Sequence, residues 1–308
     1  MNQTDIAQNG DKDSPTPFVF IPYAGNDDGT RPLPPNISIP EWLCPGIHVN
    51  GVSYTGNPLQ LGVEVQLSVV VENSGSLDGL VVVYLYWIDP TTSFTVQSLH
   101  SIGTPQIYTV ASLASTESPM ISWTPIPPIP SHFCLLAQVW CPAEYPQQVG
   151  PPQTFDVAHD RHYAQQNVNI LQAQAGQPLS FEFFAGNSRA KASTFVLQAR
   201  PVHAQTLKAL EQLYRAEAVP ISQKELLLHE VKPGIREHTG HELSLHMQIQ
   251  ERRLYQVVMN IPDNLGTNQF VAVEIDQVAR DDNDDDDEEK RSHSRKKLGS
   301  IGLIIFGL

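Results

Sequence analysis

The sequence predicts a mainly β protein made of two immunoglobulin-like β-sandwich domains, the second with one inserted helix, followed by a disordered charged C-terminal tail. Short runs of β-branched and aromatic residues alternate with a period of two, which is typical of half-buried strands. The chain contains 25 prolines and 19 glycines, which suit many turns. Its 308 residues, 41% of them hydrophobic, are enough for two ordinary domains with a sizeable core.

The first domain is predicted over residues 39–167. The run VEVQLSVVVENSG alternates until its NSG turn, with five residues on one face: Val63, Val65, Leu67, Val69 and Val71. The run Leu80–Pro90 follows directly, so the two strands form a hairpin or a sandwich corner. We expect Trp87 and Cys134 to be buried on facing strands, because a mid-strand aromatic in such a sandwich belongs to the layer between the sheets. Residues 1–38 are predicted as an extended, proline-rich N-terminal arm.

The second domain is predicted over residues 168–279, as another β-sandwich. The segments QPLSFEFFAGNS, GHELSLHMQIQ and QFVAVEIDQV alternate like strands. Helical spacing interrupts them once, over residues 204–217, where four side chains share one face: Leu207, Leu210, Leu213 and Tyr214.

The charge of the chain argues against one class of function, and its N-terminus, hydropathy and cysteines indicate its location. The formal net charge is −14, and an acidic body repels phosphate backbones, so we expect no nucleic-acid binding. The N-terminus shows no secretion signal, and the sequence has no apolar run long enough to span a membrane. Three cysteines without a CxxC pair indicate reduced thiols, although a Cys44–Cys141 disulfide is left open. A cytoplasmic protein is therefore predicted.

Catalytic motifs are not recognisable in the sequence. His159, Asp160 and His162 are weak metal candidates, because a third protein ligand is not evident and a loop lacks the regular geometry of a helix. A hydrogen-bonded linker between domains is the favoured interpretation of that segment. No GxSxG, P-loop or GxGxxG sequence occurs, so we predict no enzymatic activity, no metal and no cofactor.

Three stretches carry a family resemblance: LGVEVQLSVVVENSGSLDGLVVVYLYWIDP, ISWTPIPPIPSHFCLLAQVWCPAEYP and FDVAHDRHYAQQNVNI. Together they resemble the CARDB-type, cell-adhesion-related immunoglobulin-like module of bacteria, over roughly residues 37–170. Such modules accompany other domains, including proteases, as non-catalytic binding or spacer units. The resemblance therefore implies binding without catalysis. The closing segment departs from the Asn-rich family pattern at Asp160, Arg161 and His162.

The C-terminal tail combines a charged run with an apolar end. Residues 280–297 are predicted as a disordered linker, because like charges repel and nothing apolar is available to bury. Residues 298–308 are too short to span a bilayer and suit an extended peptide that docks on a partner. Its LGSIGL sequence resembles the docking peptides of cargo proteins in bacterial shells such as encapsulins. The candidate partner-binding residues are Leu298, Ile301, Leu303, Ile304, Ile305, Phe306 and Leu308.

These patterns predict a non-catalytic binding or structural protein, a component of or cargo for a larger bacterial assembly. The peptide 298–308 is predicted to engage the protein partner. Three alternatives remain at this stage. The peptide folds back as an edge strand on its own body; the protein is an adhesion module held on a membrane surface with the help of the basic run; or it is a metal-dependent or hydrolase-associated protein that uses His159–His162. Homo-oligomerisation is left open.

Overall fold

The computed structural model describes residues 16–34, 37–130, 132–145, 156–232, 240–279 and 297–308. The chain divides into two compact units. The first unit runs to Ile88 and continues from Val96 to Gln166, and the second unit consists of Asp89–Thr95 and the chain from Asn167 onward. The fold is mainly β and belongs to the β-sandwich class, since each unit buries its hydrophobic core between sheets.

The first unit contains a six-stranded and a four-stranded sheet, and all of its strand pairs are antiparallel. The six-stranded sheet has the order β1-β4-β2-β3, with β7 and β8 also paired to β4. Its strands are β1 (Val19–Phe20), β2 (Ile47–Val49), β3 (Val52–Ser53), β4 (Val65–Asn73), β7 (Ala114–Glu117) and β8 (Ile121–Trp123). The four-stranded sheet has the order β10-β9-β5-β6. Its strands are β5 (Gly79–Ile88), β6 (His100–Val110), β9 (Cys134–Trp140) and β10 (Tyr163–Gln166).

The core of the first unit follows the predicted alternation, with one correction. Side chains of β4 and β5 that alternate with a period of two fill the space between the sheets: Val65, Leu67, Val69, Val71, Val81, Val83 and Leu85. Trp87 and Cys134 do not lie on facing strands, because β5 and β9 are neighbours in one sheet and Cys134 pairs with Ile88. Trp87 is only half-buried, and its ring stacks on His100 with 4.1 Å between centroids.

The N-terminal segment is not an extended arm where the structure describes it. Residues 18–21 are buried, and β1 pairs with the end of β4, because the apolar run FVFI has the alternation of a strand. The loop that follows is held by Asp27, which accepts hydrogen bonds from the backbone N–H groups of Tyr23 (2.8 Å) and Gly29 (2.9 Å) and pairs with Arg31. The remainder of the predicted arm, residues 1–15, 35 and 36, lies outside the described residues.

The second unit contains a six-stranded and a three-stranded sheet. The six-stranded sheet has the order β11-β19-β18-β13-β16, with β14 paired to β18. Its strands are β11 (Val168–Ala173), β13 (Ser193–Pro201), β14 (Glu217–Ala218), β16 (Glu242–Met247), β18 (Gln269–Ala279) and β19 (Lys297–Gly307). The three-stranded sheet, of order β12-β17-β15, consists of β12 (Pro178–Gly186), β15 (Leu226–Glu230) and β17 (Arg252–Asn260).

The inserted helix α1 spans Ala204–Tyr214, which is shorter than the predicted range 204–217. It ends because Arg215 adopts the left-handed conformation (φ 53°), a common helix C-cap, and Glu217–Ala218 then pair with β18 as β14. In the described part of the chain, no helix is both long and apolar enough to cross a membrane.

Candidate functional site

The predicted docking peptide is a central strand of the second unit. β19 runs parallel to β11 and antiparallel to β18, so both of its edges are hydrogen-bonded. Four of the seven candidate residues are fully buried: Ile301, Leu303, Ile304 and Ile305. Leu298 and Phe306 are half-buried, and Leu308 is 62% exposed. Residues 298–307 are therefore not an unpaired docking peptide. The alternative that the peptide folds back on its own body is correct, but the strand lies inside the sheet and not at its edge.

Both faces of β19 are covered, which explains its continuous hydrophobic sequence. Ile301, Leu303 and Ile305 belong to the core cluster between the two sheets. On the opposite face, the ring of Phe306 lies 5.8 Å from the ring of Tyr214 in α1. A strand that is buried on both faces needs apolar side chains on both. This accounts for a composition that resembles a docking sequence.

The glycines of β19 fit tightly against neighbouring backbone. A Cβ atom on Gly299 would lie 2.5 Å from the carbonyl oxygen of Thr92, and one on Gly307 would lie 2.3 Å from the carbonyl oxygen of Gly266. Both distances are shorter than van der Waals contact, so a side chain at either position requires the backbone to shift. Packing within the second unit therefore accounts for these glycines without reference to a partner.

A cluster of charged groups holds the first residue of β19. The Lys297 ammonium lies 2.7 Å from a carboxylate oxygen of Glu274 and 2.7 Å from one of Asp276, both on β18. Arg200 on β13 donates from Nε to Asp276 (2.8 Å). Burial and the charge of Glu274 raise the pKa of Asp276, although Lys297 and Arg200 oppose this. Lys297 was predicted to belong to the charged linker 280–297; the structure makes it part of the sheet, and residues 280–296 lie outside the described residues.

The structure separates the three weak metal candidates. His159 pairs with Asp156 (Nδ1 to Oδ1, 2.8 Å), whereas Asp160 and His162 form a pair of their own (2.6 Å). The described residues contain no group of three or more His, Cys, Asp or Glu side chains placed to hold a metal ion. Cys44, Cys134 and Cys141 are all buried, and none of them forms a disulfide bond.

His162 belongs to a buried polar network that the sequence did not reveal. Its Nε2 lies 2.9 Å from Oε2 of Glu144, and its Nδ1 lies 2.6 Å from Oδ1 of Asp160 and 2.7 Å from the hydroxyl of Tyr145. Arg161 donates from its guanidinium to the same Glu144 oxygen. Both ring nitrogens of His162 therefore face carboxylates, and neither has a lone pair directed at a metal.

The network also fixes the N-terminal strand. The backbone N–H of Val19 donates to Oε1 of Glu144 (2.6 Å), and Nε of Arg161 donates to the carbonyl of Val19 (3.2 Å). The guanidinium of Arg161 stacks over the ring of Phe18 at 3.9 Å. These contacts connect residues more than a hundred positions apart, so no local motif could have identified them.

The charges of this network support one another. Burial lowers the pKa of His162, but the charges and hydrogen bonds of Asp160 and Glu144 outweigh burial and raise the pKa above its ordinary value. Burial raises the pKa of Glu144, but hydrogen bonding and the charge of His162, together with Arg161, lower it below its ordinary value. The network therefore has a structural role, since each of its charged groups is already paired with another group inside the protein.

The outer face of the four-stranded sheet is a different kind of surface. Strand alternation places these side chains opposite the core: Leu80, Val82, Tyr84 and Tyr86 on β5, Ile107 and Thr109 on β6, and Leu136, Gln138 and Trp140 on β9. Val82 pairs with Ile107 on one side and with Trp140 on the other, so these three form a row across the sheet. Ile107 is 66% exposed and Leu80 is 54% exposed.

Most of the side chains named on this outer face are aliphatic or aromatic. Its aliphatic and aromatic side chains include the rings of Tyr84 and Tyr86, which are nearly coplanar (9°) with centroids 6.4 Å apart. None of the nine residues named above carries a charge, although the whole chain carries −14. A solvated face of an antiparallel sheet normally alternates to polar residues, so the exposed Leu80 and Ile107 depart from that pattern, whereas Val82, Leu136 and Gln138 of the same face are buried.

Comparisons with known proteins show no family. No family model matches the chain, and no curated protein matches it. Among solved structures, a family 123 glycoside hydrolase from Clostridium perfringens is similar over 46% of this chain and 23% of its own length, with 14% identity and a TM-score of 0.28. The N-terminal domain of PorA covers 46% of this chain and 86% of its own (7% identity, TM-score 0.23). The CupB6 tip adhesin from Pseudomonas aeruginosa covers 85% of this chain and 97% of its own (8% identity, TM-score 0.22). At these TM-scores none of the three carries a functional argument.

Proposed function

We propose that this chain is a non-catalytic binding protein that engages a partner through the outer face of the β10-β9-β5-β6 sheet. The single observation that carries the proposal is the uncharged row of Ile107, Val82 and Trp140 across the sheet, in which Ile107 is 66% exposed, with the 54% exposed Leu80 on the same face. Removing apolar surface from water is favourable, so a partner that covers an exposed apolar patch gains binding free energy.

The site replaces the C-terminal peptide as the partner-binding element. β19 already satisfies its backbone hydrogen bonds and its side-chain packing inside the second unit, so engaging a partner would require it to leave the sheet. The outer face of the four-stranded sheet requires no such rearrangement.

The buried network around His162 contributes to this function only through stability. Its carboxylates and its imidazole are paired with one another and with the strand that carries Val19. A reacting or metal-binding role would first require those pairs to break. We therefore do not propose the alternative of a metal-dependent or hydrolase-associated protein using His159–His162.

A capture experiment with matched variants tests the proposal. The wild-type chain, Ile107→Glu and Val52→Glu are immobilised and exposed to a lysate of the source cells. Ile107 and Val52 are equally exposed (66% each), but Val52 lies on β3 of the other sheet. We expect Ile107→Glu to lose the protein that the wild type and Val52→Glu retain. Identical capture by all three chains, or no specific capture by the wild type, contradicts the proposal.

A further inference from the structure

We propose that the side chains of Lys297 and Asp276 condense into an amide bond, which joins β19 to β18 covalently and releases one water molecule. In this reaction Glu274 carries a proton, and Arg200 donates hydrogen bonds to the reacting carboxyl group. All four side chains belong to the second unit. The reaction is a modification of the chain by its own residues, and it does not depend on the binding surface of the first unit.

The strand register brings the four side chains together on the face of the sheet opposite the core. Glu274 and Asp276 are two positions apart on β18, so they point to the same side, and Ile275 between them points into the core. Arg200 on β13 pairs directly with Glu274. Lys297 begins β19, on the other side of β18. A cation from each neighbouring strand therefore meets the two carboxyl groups of the middle strand.

The amine of Lys297 is in contact with both carboxyl groups. Its Nζ lies 2.7 Å from Oδ1 of Asp276 and donates to Oε1 of Glu274 at 2.7 Å. An amine attacks a carboxyl carbon when the two groups are held together and a base is placed to take the proton that the amine loses. One of the two carboxyl groups can supply the carbon, and the other can act as the base.

Arg200 distinguishes between the two carboxyl groups. Its Nε and Nη2 both lie 2.8 Å from Oδ2 of Asp276, whereas Nη2 lies 3.2 Å from Oε2 of Glu274. During the attack, negative charge develops on the carboxyl oxygen that remains in the amide, and donors already fixed on that oxygen stabilise it. Oδ2 of Asp276 is therefore the oxygen that remains, and Oδ1, beside Lys297, is the oxygen that leaves.

Burial favours the neutral groups that react. The side chains of Asp276 and Glu274 are only 4% and 7% exposed. Burial raises the pKa of Asp276, and the charge of Glu274 adds to this, although Lys297 and Arg200 oppose it. A proton that passes from the Lys297 ammonium to Asp276 gives the neutral amine and the neutral acid that condensation requires.

The atoms and charges balance without a further reactant. After the proton transfer, the bond from Nζ of Lys297 to Cγ of Asp276 forms, and the bond from Cγ to Oδ1 breaks. Glu274 takes one proton from the nitrogen and passes it to Oδ1, which leaves as water with the proton that it already carries. One hydrogen stays on Nζ as the amide N–H. Arg200 remains paired with Glu274, so no buried charge loses its partner.

The mass of the denatured full chain tests the amide. The wild type should be lighter than its calculated mass by one water molecule, about 18 Da. A tryptic digest should contain one branched peptide that joins residues 254–280 to residues 297–308, and its fragmentation should place the bond between Asp276 and Lys297. Lys297→Arg keeps the positive charge but has no amine that can react, so it should have its full calculated mass.

Two further variants test the roles of the surroundings. Lys232→Arg is the matched control, because Lys232 lies 2.8 Å from a carboxylate oxygen of Glu230 but is 51% exposed, so this pair stays ionic. The control should keep the deficit of one water molecule. Glu274→Gln removes the proton carrier, and the freshly purified variant should have its full calculated mass.

The wild type decides the proposal even where a variant fails to fold. A wild-type chain at its full calculated mass, with residues 297–308 recovered as a separate linear peptide, overturns the amide. A deficit that persists in Lys297→Arg, or that fragmentation places at any other pair of residues, overturns it as well.

Discussion

Deleting residues 298–308 should unfold the second unit. The deletion removes four fully buried aliphatic side chains, each worth roughly 1.5–3 kcal/mol, or about 6–12 kcal/mol in total. That loss is comparable to the whole stability of a typical domain, about 5–15 kcal/mol. It also leaves β11 and β18 without the strand that joins them. We expect hydrogen exchange across β11, β13 and β18 to lose its protection, while β4, β5 and β9 of the first unit keep theirs.

Deletion of Leu308 alone is the matched control. Leu308 is largely exposed and contributes one backbone hydrogen bond, to the carbonyl of Ala173 (3.0 Å). Its loss should change the free energy of unfolding by about 1 kcal/mol or less. An eleven-residue deletion that behaves like this control would show that β19 does not hold the second unit together.

Substitution of Glu144 should give the second largest effect. Glu144→Ala removes the carboxylate shared by Arg161 and His162 and the acceptor of the Val19 N–H. The side chains of Arg161 and His162 then stay buried without this partner, which costs about 3–5 kcal/mol in comparable cases. Chemical denaturation followed through the first unit measures the loss.

Glu117→Ala is the control for the same chemical change in the same unit. Glu117 pairs with His48 and accepts a hydrogen bond from the hydroxyl of Ser68, but its side chain is 42% exposed, so its removal should cost about 1–2 kcal/mol. Equal effects of the two substitutions would show that the buried network contributes nothing beyond a surface pair.

The stabilisation from Glu144 should depend on pH in both directions. The raised pKa of His162 means that its contribution is complete below the ordinary histidine value of about 6.5 and is lost as pH rises through the folded-state pKa. The lowered pKa of Glu144 means that its contribution is complete above the ordinary value of about 4.3 and is lost as pH falls through the folded-state pKa. The difference between wild type and Glu144→Ala should therefore be largest from about pH 4.3 to 6.5. A constant difference from pH 4 to 9 would contradict this assignment.

The sequence predicted the individual strands and the helix better than it predicted which strands pair with each other. Period-two alternation identified β4 and β5 and the core side chains Val65, Leu67 and Val81. The helix was predicted, but its C-terminal end was placed too late. The spacing of apolar side chains cannot show that Arg215 adopts a left-handed backbone conformation. Trp87 does pack against the core between the sheets, but Cys134 does not face it from the other sheet, because β9 lies beside β5 in one sheet. A single sequence does not show locally which strands are neighbours in space.

The tail shows most clearly why the remainder was missed. Its alternation at Ile301, Leu303 and Ile305 is that of a buried strand, but the charged run before it suggested a tether to a partner. The deciding partners are far away in sequence: Gly302 pairs with Val168, more than 130 positions earlier. The Glu144 network has the same character, since its contact with Val19 spans 125 positions. Long-range pairings of this kind are visible only once the chain is folded.

Hydrogen exchange of the intact chain tests the central claim most directly, namely that the C-terminal peptide is an internal strand and that binding therefore belongs to the outer face of the first unit. Backbone amides of residues 299–305 should exchange as slowly as those of their neighbours in β18, because both strands lie inside one sheet with both edges paired. Protection that matches β18 is the predicted result. Exchange of residues 299–305 at the rate of an unstructured peptide, while β18 stays protected, would contradict the account. Residues 298–308 would then again be the candidate partner-binding element.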